Sequence, residues 1–343
     1  MQELSNRPRT ESSVHEYDIV IVGGGPTGIA CGIHARKSGL SHIVLERETL
    51  VNSIVNYPVG MRFFSTTDRL SLGGLPFTSS DSRPTRSEAI RYYRSVAEAE
   101  GVEFRQGVDV QSCRRENGRF VVMTSTGEFR SRNVVLATGY FDRTNRLDVP
   151  GEDLPHVSHY YDEPWKWYDR DVVVVGGRNS AIETALELYR AGARVTVVHR
   201  GSELGRKVKY WLRPDFENRV ADGEIGLHLE TVVERIAETS VGVRNRATDQ
   251  TLSIAADGVF AMIGYRPDQT LFDRFGIGYD PESLVPAYDD ETFETNIPGL
   301  YIAGSVACGC RTWEIFIENG REHAERVISV IAEASGERDG DWD

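Results

Sequence analysis

The chain has 343 residues, 40% of them hydrophobic, which is enough for two domains of ordinary size. Its formal net charge of −13 argues against nucleic acid as the main partner, because phosphate binding needs a basic surface. No apolar run approaches the ~20 residues that a membrane-spanning helix needs. Residues 1–15 carry no apolar segment of a secretory signal, and we expect them and residues 336–343 to be disordered tails.

Four cysteines are present, and none of them forms a C-x-x-C pair. In a chain of this length without an export signal, they indicate a reducing cytosol and no disulfide framework. No cluster of cysteine and histidine has the spacing of a zinc site, so no metal is expected. The sequence therefore predicts a cytoplasmic protein. The four cysteines are Cys31, Cys113, Cys308 and Cys310.

The first elements in the chain form a β-α-β unit. Residues 17–22 (YDIVIV) are a β-branched apolar run that ends in glycines, a helix is predicted over 26–38, and residues 42–46 (HIVLE) make the next strand. Continuous apolar strands of this kind are typical of a parallel sheet that is covered on both faces.

A second unit of the same type lies in the middle of the chain. It comprises a strand that starts at Asp171, a helix over 179–191 and a strand over 193–200. Two such units indicate two dinucleotide-binding domains. The remaining predicted elements are a helix at 86–100, strands at 102–112, 119–124, 128–136 and 298–304, a strand-rich stretch at 224–262 and a helix at about 312–334.

The order of these elements predicts a discontinuous first domain, residues 16–150 and 288–343. The second domain, residues 151–287, is inserted between its two parts. The predicted fold class is therefore α/β, with two Rossmann-like dinucleotide-binding domains.

The first glycine motif follows the first strand and opens the first helix. Gly23, Gly25 and Gly28 form G-x-G-x-x-G, which permits a tight turn, close approach to a pyrophosphate and close packing of helix on strand. Glu46 ends the next strand, where an acid can hold a ribose diol. The alternative is a purely structural glycine turn. The neighbouring residues Pro26, Thr27 and Arg47 are included in the predicted site.

The second glycine motif departs from this pattern. Gly176 and Ala181 fit G-x-G-x-x-A, but Arg178 replaces the middle glycine. Its guanidinium group could clamp a phosphate, and the alternative is a solvated loop residue. Gly177, Asn179 and Ser180 complete the predicted loop.

The strand after the second motif ends in His199 and Arg200 instead of an acid. An acid there would select NAD through its ribose 2′-hydroxyl, whereas a base accommodates the 2′-phosphate of NADP. Arg206 and Lys207, with Lys209 close behind, follow within reach. We therefore expect NADPH, against the alternative of a basic loop that only faces solvent.

Two further segments identify the first nucleotide. VLATG at 135–139 and TNIPGLYIAG at 295–304 resemble the FAD-binding segments of two-domain flavoprotein disulfide reductases. The resemblance implies that Thr138, Gly139, Gly304 and Ser305 line an FAD site. It also implies that the helix after the last strand points its N-terminus at the flavin, where it would stabilise the anionic reduced form. That family usually has Asp where this chain has Ser305.

The size and domain order resemble the low-molecular-weight thioredoxin reductases, but no cysteine lies between Cys113 and Cys308 to supply their C-x-x-C. Segments at 56–77, 176–201, 260–268 and 314–323 instead resemble the bacillithiol-disulfide reductase family of the YpdA type. This resemblance implies a homodimer or higher homo-oligomer that uses FAD and NADPH to reduce the disulfide of a low-molecular-weight thiol. It further implies rotation of the domains about the crossings near 150 and 288.

Members of that family commonly have a cysteine in the first glycine loop, at the position of Thr27. Cys31, one turn further on, is expected to be a buried core residue. Cys308 and Cys310 lie in the loop after the last flavin strand, where a thiolate near a helix N-terminus could exchange with a disulfide. The alternative is a tight turn lined with small residues.

Two other functions are compatible with paired glycine motifs and the absence of C-x-x-C. A thioredoxin-reductase-like ferredoxin/flavodoxin–NADP reductase also lacks C-x-x-C and would pass single electrons to a protein. The acidic balance of the chain argues against the basic docking face that such a reductase would use. A redox sensor that binds flavin and NADPH without turnover would also keep both glycine motifs.

Overall fold

The computed structural model describes residues 15–339. The expected N-terminal tail lies outside these residues, except for residue 15, which begins a strand. The last helix continues to Asp339, so residues 336–339 are helical and do not belong to the expected C-terminal tail. No proline interrupts the chain there, and the backbone ladder of the helix can therefore continue.

The described residues form strands and helices in the order of a doubly repeated α/β chain. The strands are β1 (His15–Val22), β2 (His42–Glu46), β3 (Phe104–Gln106), β4 (Val110–Glu116), β5 (Arg119–Thr124), β6 (Gly127–Leu136), β7 (Val157–Ser158), β8 (Asp171–Val175), β9 (Arg194–Val198), β10 (Ile225–His228), β11 (Thr231–Ala237), β12 (Ser240–Asn245), β13 (Thr251–Ala255), β14 (Gly258–Ala261) and β15 (Leu300–Ile302). The helices are α1 (Pro26–Lys37), α2 (Asn52–Val55), α3 (Thr67–Leu70), α4 (Arg86–Ala99), α5 (Asn179–Arg190), α6 (Arg213–Ala221), α7 (Gln269–Phe275) and α8 (Ile317–Asp339), with 3-10 turns at Trp165–Trp167 and Gly304–Cys308.

The first unit is built on a mixed sheet with a parallel core. β3, β2, β1, β6 and β15 lie side by side and run in the same direction, so their carboxyl ends meet at one edge. β4 and β5 form an antiparallel ribbon on the first half of β6. Ile19, Val20 and Ile21 in β1 are fully buried, as expected for a strand covered on both faces.

The second unit is built on a fully parallel five-stranded sheet in the order β10-β9-β8-β14-β7. A separate antiparallel sheet of β11, β12 and β13 accompanies it. The buried face of α5, which includes Ile182, Ala185 and Leu186, packs into the same core as Val174 and Val197 of the sheet. The predicted α/β fold with two Rossmann-like domains, the second inserted into the first, is confirmed.

The division between the units differs from the bounds expected from the sequence. Contacts assign Ile54–Phe63 and Phe141–Arg266 to the second unit, and the chain from Pro267 onward to the first. The reason for the later crossing is α7, because Phe272 and Phe275 are buried in the core of the first sheet. A short helix with this anchoring cannot belong to the inserted domain.

Two of the differences between predicted and observed bounds have a local cause that the structure shows. The strand expected over 102–112 is divided into β3 and β4 by a turn at Gly107, whose φ of 72° suits glycine. The last helix starts at Ile317 instead of 312 because Asn319 closes the preceding turn. Its side chain accepts a hydrogen bond from the Phe316 amide at 2.7 Å and donates one to the Glu314 carbonyl at 2.9 Å.

No helix within residues 15–339 combines the length and the apolar character that crossing a bilayer requires.

Anchoring by α7 gives a stability prediction. Phe272→Ala should lower the free energy of unfolding of the first unit by about 3–5 kcal/mol, because the Phe272 ring is 1% exposed in its core. Thr270→Ala, on the exposed face of the same helix, should change it by less than about 0.5 kcal/mol. Urea unfolding followed by circular dichroism measures both values. Equal effects of the two substitutions would contradict the assignment of α7 to this core.

Candidate functional site

The first glycine loop has the geometry that its motif predicts. Gly23 has φ of 109°, and a Cβ there would lie 2.6 Å from the Ala137 carbonyl oxygen. A Cβ at Gly28 would overlap the Gly23 carbonyl oxygen, so α1 packs directly on the turn. A Cβ at Gly25 would meet nothing within 4 Å. The middle glycine therefore leaves open space where a pyrophosphate can approach.

The start of α1 offers its amide groups to that space. Gly25 caps the helix without a side-chain hydrogen bond, Pro26 follows at the first position, and no acid lies in the first turn. Uncapped first-turn amides and the helix dipole favour an anion. The residues present therefore fit the phosphates of a dinucleotide.

Glu46 fixes one side of this cradle. The residue is 8% exposed, and its carboxylate accepts hydrogen bonds from the amide of Gly24 at 2.7 Å and from the amide of Glu48 at 2.9 Å. The acid predicted for a ribose diol thus stands at the end of β2, against the glycine loop. Arg47 lies beside it, with its Nε 3.9 Å from a Glu48 carboxylate oxygen.

The loops after β6 and β15 reach the same edge of the sheet. Gly139 and Gly304 adopt φ of 66° and 75°, and a Cβ at Gly139 would lie 3.3 Å from Ser305 Oγ. Thr27 lies against Gly304 and against Gly320 of α8, where a Cβ would come within 2.6 and 3.0 Å of its Oγ1. The structure therefore brings together the residues predicted for the first nucleotide, including Thr138 between Ala137 and Gly139. Sequence reasoning missed Gly320, which makes room for Thr27.

The second glycine loop is packed equally tightly. Gly176 has φ of 146°, and a Cβ there would lie 2.5 Å from the Met262 carbonyl oxygen and 2.9 Å from the Ala181 Cβ. A Cβ at Gly177 would overlap the ring of His199. Arg178 caps α5 without a side-chain hydrogen bond to its backbone, and no acid lies in the first turn. This helix start also fits an anion.

The basic segment after β9 is attached to this loop by hydrogen bonds. The Gly205 amide donates to the Gly177 carbonyl at 2.8 Å. The Asn179 side chain donates to the Lys207 carbonyl at 3.2 Å and accepts from the Lys209 amide at 2.9 Å. Asn179, predicted to bind the cofactor, therefore also positions the basic residues. Ser180 follows it in the exposed first turn of α5.

Regularly spaced hydrophobic side chains hold the basic segment in place. Leu204, Val208 and Leu212 are buried in the core of the second unit at intervals of four residues. Their spacing is a signal in the sequence that could have predicted a docked, turn-rich segment instead of a free loop.

The basic side chains themselves face solvent. Arg178, Arg200 and Lys207 are exposed, and the Arg206 side chain is 90% exposed, with its Nε 3.2 Å from a Glu203 carboxylate oxygen. Burial lowers the pKa of His199, so its ring is neutral at pH 7 and packs on the glycine loop. The positive charge near the end of β9 therefore comes from the arginines and Lys207.

The cysteines differ in exposure. Cys308 is 2% exposed, its thiol donates to the Ser305 carbonyl at 3.0 Å, and burial raises its pKa to about 11. The Cys308 thiol is therefore protonated at neutral pH, which favours the alternative of a tight turn lined with small residues. The helix α8 starts only at Ile317. Cys310 is partly exposed, and its amide donates to the Ser283 carbonyl at 2.7 Å.

The other two cysteines are also protonated at neutral pH. Burial raises the pKa of Cys31, which is fully buried, and that of Cys113 to about 12. The expectation that Cys31 is a core residue agrees with this burial. Neither thiol has the low pKa of a reactive cysteine.

Two glycine loops lie at the carboxyl ends of parallel strands, and each leads into a helix that has no side-chain cap. This arrangement defines a protein that binds two dinucleotides. A family model described as pyridine nucleotide-disulphide oxidoreductase matches residues 20–304. The chain belongs to this family of oxidoreductases.

Individual relatives show which members of this oxidoreductase family the chain resembles. The bacilliredoxin reductase Bdr of Bacillus subtilis (strain 168) is 40% identical over 91% of this chain and 97% of its own length. The structure of bacillithiol disulfide reductase Bdr (YpdA) from Bacillus cereus matches with a TM-score of 0.90 and 38% identity, over 93% of this chain and 100% of that one. The structure of the same reductase from Staphylococcus aureus matches with a TM-score of 0.89 and 37% identity, over 93% of this chain and 99% of that one. The resemblance to the YpdA-type reductases is confirmed.

The contrast between two glycines gives a prediction about the first loop. Gly25→Ala should leave the stability of the apoprotein within about 0.5 kcal/mol, because its Cβ meets no atom, yet should weaken FAD binding by crowding the pyrophosphate. Gly28→Ala should lower both stability and FAD content, since its Cβ overlaps backbone. Thermal unfolding of the apoprotein and FAD titration separate the two effects. Unchanged FAD affinity in Gly25→Ala would argue against a pyrophosphate at this loop.

Cysteine exposure gives a second prediction. Iodoacetamide at pH 7.5 should label Cys310 in the native protein well before the other three, because Cys31, Cys113 and Cys308 have raised pKa values. Labelling of the unfolded chain, where all four react, is the control, and peptide mass spectrometry identifies the sites. Labelling of Cys308 as fast as Cys310 would contradict the buried, protonated thiol.

Proposed function

We propose that the protein is an NADPH-dependent reductase that contains FAD and acts on the disulfide of a low-molecular-weight thiol. Bacillithiol disulfide is the best candidate for this substrate. The observation that supports this most is the pair of dinucleotide cradles, of which the second carries bases in place of an acid. The B. cereus and S. aureus structures, which are those of bacillithiol disulfide reductases, support the choice of disulfide. The net reaction converts NADPH, one proton and the disulfide into NADP⁺ and two thiols.

In this proposal FAD binds the first unit and NADPH the second, and the bound cofactors supply the hydride and two-electron chemistry. The chain binds and orients them. The space beside Gly25 receives the FAD pyrophosphate at the start of α1, and Glu46 stands where the adenosine ribose is held. Ser305 offers the flavin side chain a hydroxyl where the family has a carboxylate, and Thr138 and Gly139 complete the site.

In this proposal the second unit distinguishes NADPH from NADH by charge. Arg178 at the start of α5 and the exposed side chains of Arg200, Arg206 and Lys207 provide cations for the pyrophosphate and the 2′-phosphate of NADPH. β9 ends without an acid, so no carboxylate there repels the 2′-phosphate. Neutral His199 contributes a flat ring at the end of the strand.

The path to the disulfide does not use the Cys308 thiolate in this proposal, because burial keeps that thiol protonated. Thr27 supplies a hydroxyl in place of the cysteine of the family, so the first glycine loop contributes no thiol either. Cys310 is the remaining candidate for exchange with the substrate. Cys310→Ser therefore tests a protein thiol, with Cys308→Ser as its matched control.

A second candidate acceptor is the protein bacilliredoxin. The B. subtilis relative, 40% identical to this chain, is named as a bacilliredoxin reductase, whereas the two solved structures are named for the small disulfide. The experiment therefore compares the two acceptors directly with the same reduced enzyme. We further propose that the protein is a homodimer in a reducing cytosol and that its domains rotate during turnover. Light scattering during gel filtration tests the dimer.

Stopped-flow absorbance at 450 nm tests the proposed function. NADPH should bleach the flavin of the holoprotein, and bacillithiol disulfide should restore the absorbance. Cys308→Ser should behave as the wild type, and a loss of reoxidation only in Cys310→Ser would assign a role to that thiol. Reoxidation by oxidised bacilliredoxin but not by the small disulfide would favour the second acceptor.

Other outcomes would contradict the proposal. Reoxidation only by ferredoxin or flavodoxin would identify an electron-transfer reductase. Absence of bleaching by NADPH would favour a sensor without turnover.

A further inference from the structure

A residue far along the chain from the basic segment lies next to it in the second unit. Arg246 follows β12 in the turn that leads to β13. We propose that Arg246 is a further determinant of nicotinamide-cofactor specificity, in which its guanidinium group binds the 2′-phosphate of NADPH. This inference rests on the NADPH-binding second unit proposed above.

Backbone hydrogen bonds connect Arg246 to the end of β9. The Gly201 carbonyl accepts from the Glu230 amide at 2.8 Å, and the Glu230 carbonyl accepts from the Arg246 amide at 2.6 Å. A further bond joins the same two segments, because the His199 carbonyl accepts from the Thr231 amide at 2.9 Å. Arg246 is thus two backbone hydrogen bonds away from the residue that follows Arg200.

The turn that carries Arg246 is held in a fixed position. The Asn245 side chain accepts from the amides of Ala247 at 2.9 Å and Thr248 at 3.0 Å, and donates to the Leu229 carbonyl at 3.3 Å. These bonds fix both the shape of the turn and its attachment to the loop at 229–230. Position 246 is therefore presented from a rigid element, as a specificity residue requires.

Within residues 15–339, no carboxylate neutralises the charge of Arg246. Arg246 is exposed, and neither it nor Arg200 comes within 4.0 Å of a carboxylate among residues 15–339. Arg244, two residues earlier, is instead paired with Glu234 at 2.5 Å and Asp249 at 3.1 Å. An unpaired guanidinium on this loop can still take a ligand, whereas that of Arg244 is already occupied.

Carboxylates also lie on this surface. Glu203 pairs with Arg206 at 3.2 Å, and Asp249 pairs with Arg244 at 3.1 Å. Glu230 is exposed beside the turn and has no ion pair within residues 15–339. Against these carboxylates stand the cations at the end of β9 and on the docked segment, together with Arg246. Two arginines on adjacent loops suit a dianionic phosphate monoester, because each can bind two oxygens in a planar fork.

The test compares cofactors in matched variants. In Arg246→Gln, kcat/KM for flavin reduction by NADPH should fall roughly 10-fold, the size expected for one charge-assisted contact, while the value for NADH should change less than about two-fold. Binding of 2′,5′-ADP should weaken similarly, and that of 5′-AMP should not. Arg244→Gln removes the same charge from the same hairpin and should leave all four values near those of the wild type. Arg246→Lys should recover part of the lost preference.

The outcomes separate this inference from the proposed function. A wild type that prefers NADPH, combined with an Arg246→Gln variant whose preference is unchanged, would overturn the role of Arg246 alone. Equal losses with NADPH and NADH would also overturn it, because they indicate a structural effect. A wild type without preference for NADPH over NADH, or for 2′,5′-ADP over 5′-AMP, would overturn both.

Discussion

The close approach of backbone to backbone at the ends of the parallel strands is the constraint on which the rest of the structure depends. α1 can start with uncovered amides beside β1 only because Gly28 lies directly on the Gly23 carbonyl. In the second unit, Gly176 lies on the Met262 carbonyl and the small Ala181 in the same way. Side chains at these positions would lift each helix from its sheet and close the space that a pyrophosphate needs. The acids, hydroxyls and bases around the two loops matter only because this packing leaves room for a ligand.

Much of this arrangement could be predicted because it is local in the sequence. β2 and β5 match their expected bounds, and both glycine loops stand where strand, glycine and helix follow each other within a few residues. The features that escaped prediction depend on contacts between distant segments. α7 belongs to the first unit because Phe272 packs in its core, and the start of α8 is set by hydrogen bonds of Asn319. No periodicity within the short segment around either residue carries that information.

The candidate site shows the same contrast. The absence of an acid at the end of the strand was enough to predict the role of the basic residues after β9. Their attachment through Asn179 to the second glycine loop instead depends on hydrogen bonds between separate loops. The position of Cys308 along the chain left two alternatives open, because closeness to the preceding strand says nothing about solvent access. Burial determines the protonation of that thiol, and burial follows from how the turn at 304–308 packs on the first core.

The contact of Thr27 with Gly304 and Gly320 has a consequence for resistance to oxidants. A cysteine at this position can be converted to a sulfenic acid, a mixed disulfide or a sulfinic acid, each bulkier and more polar than the thiol. Between two glycines that leave no spare room, such a product would push α8 away from the first glycine loop. A threonine hydroxyl undergoes none of these reactions. The cradle of this chain should therefore keep its shape in the presence of peroxide, when an enzyme that restores thiols is most needed.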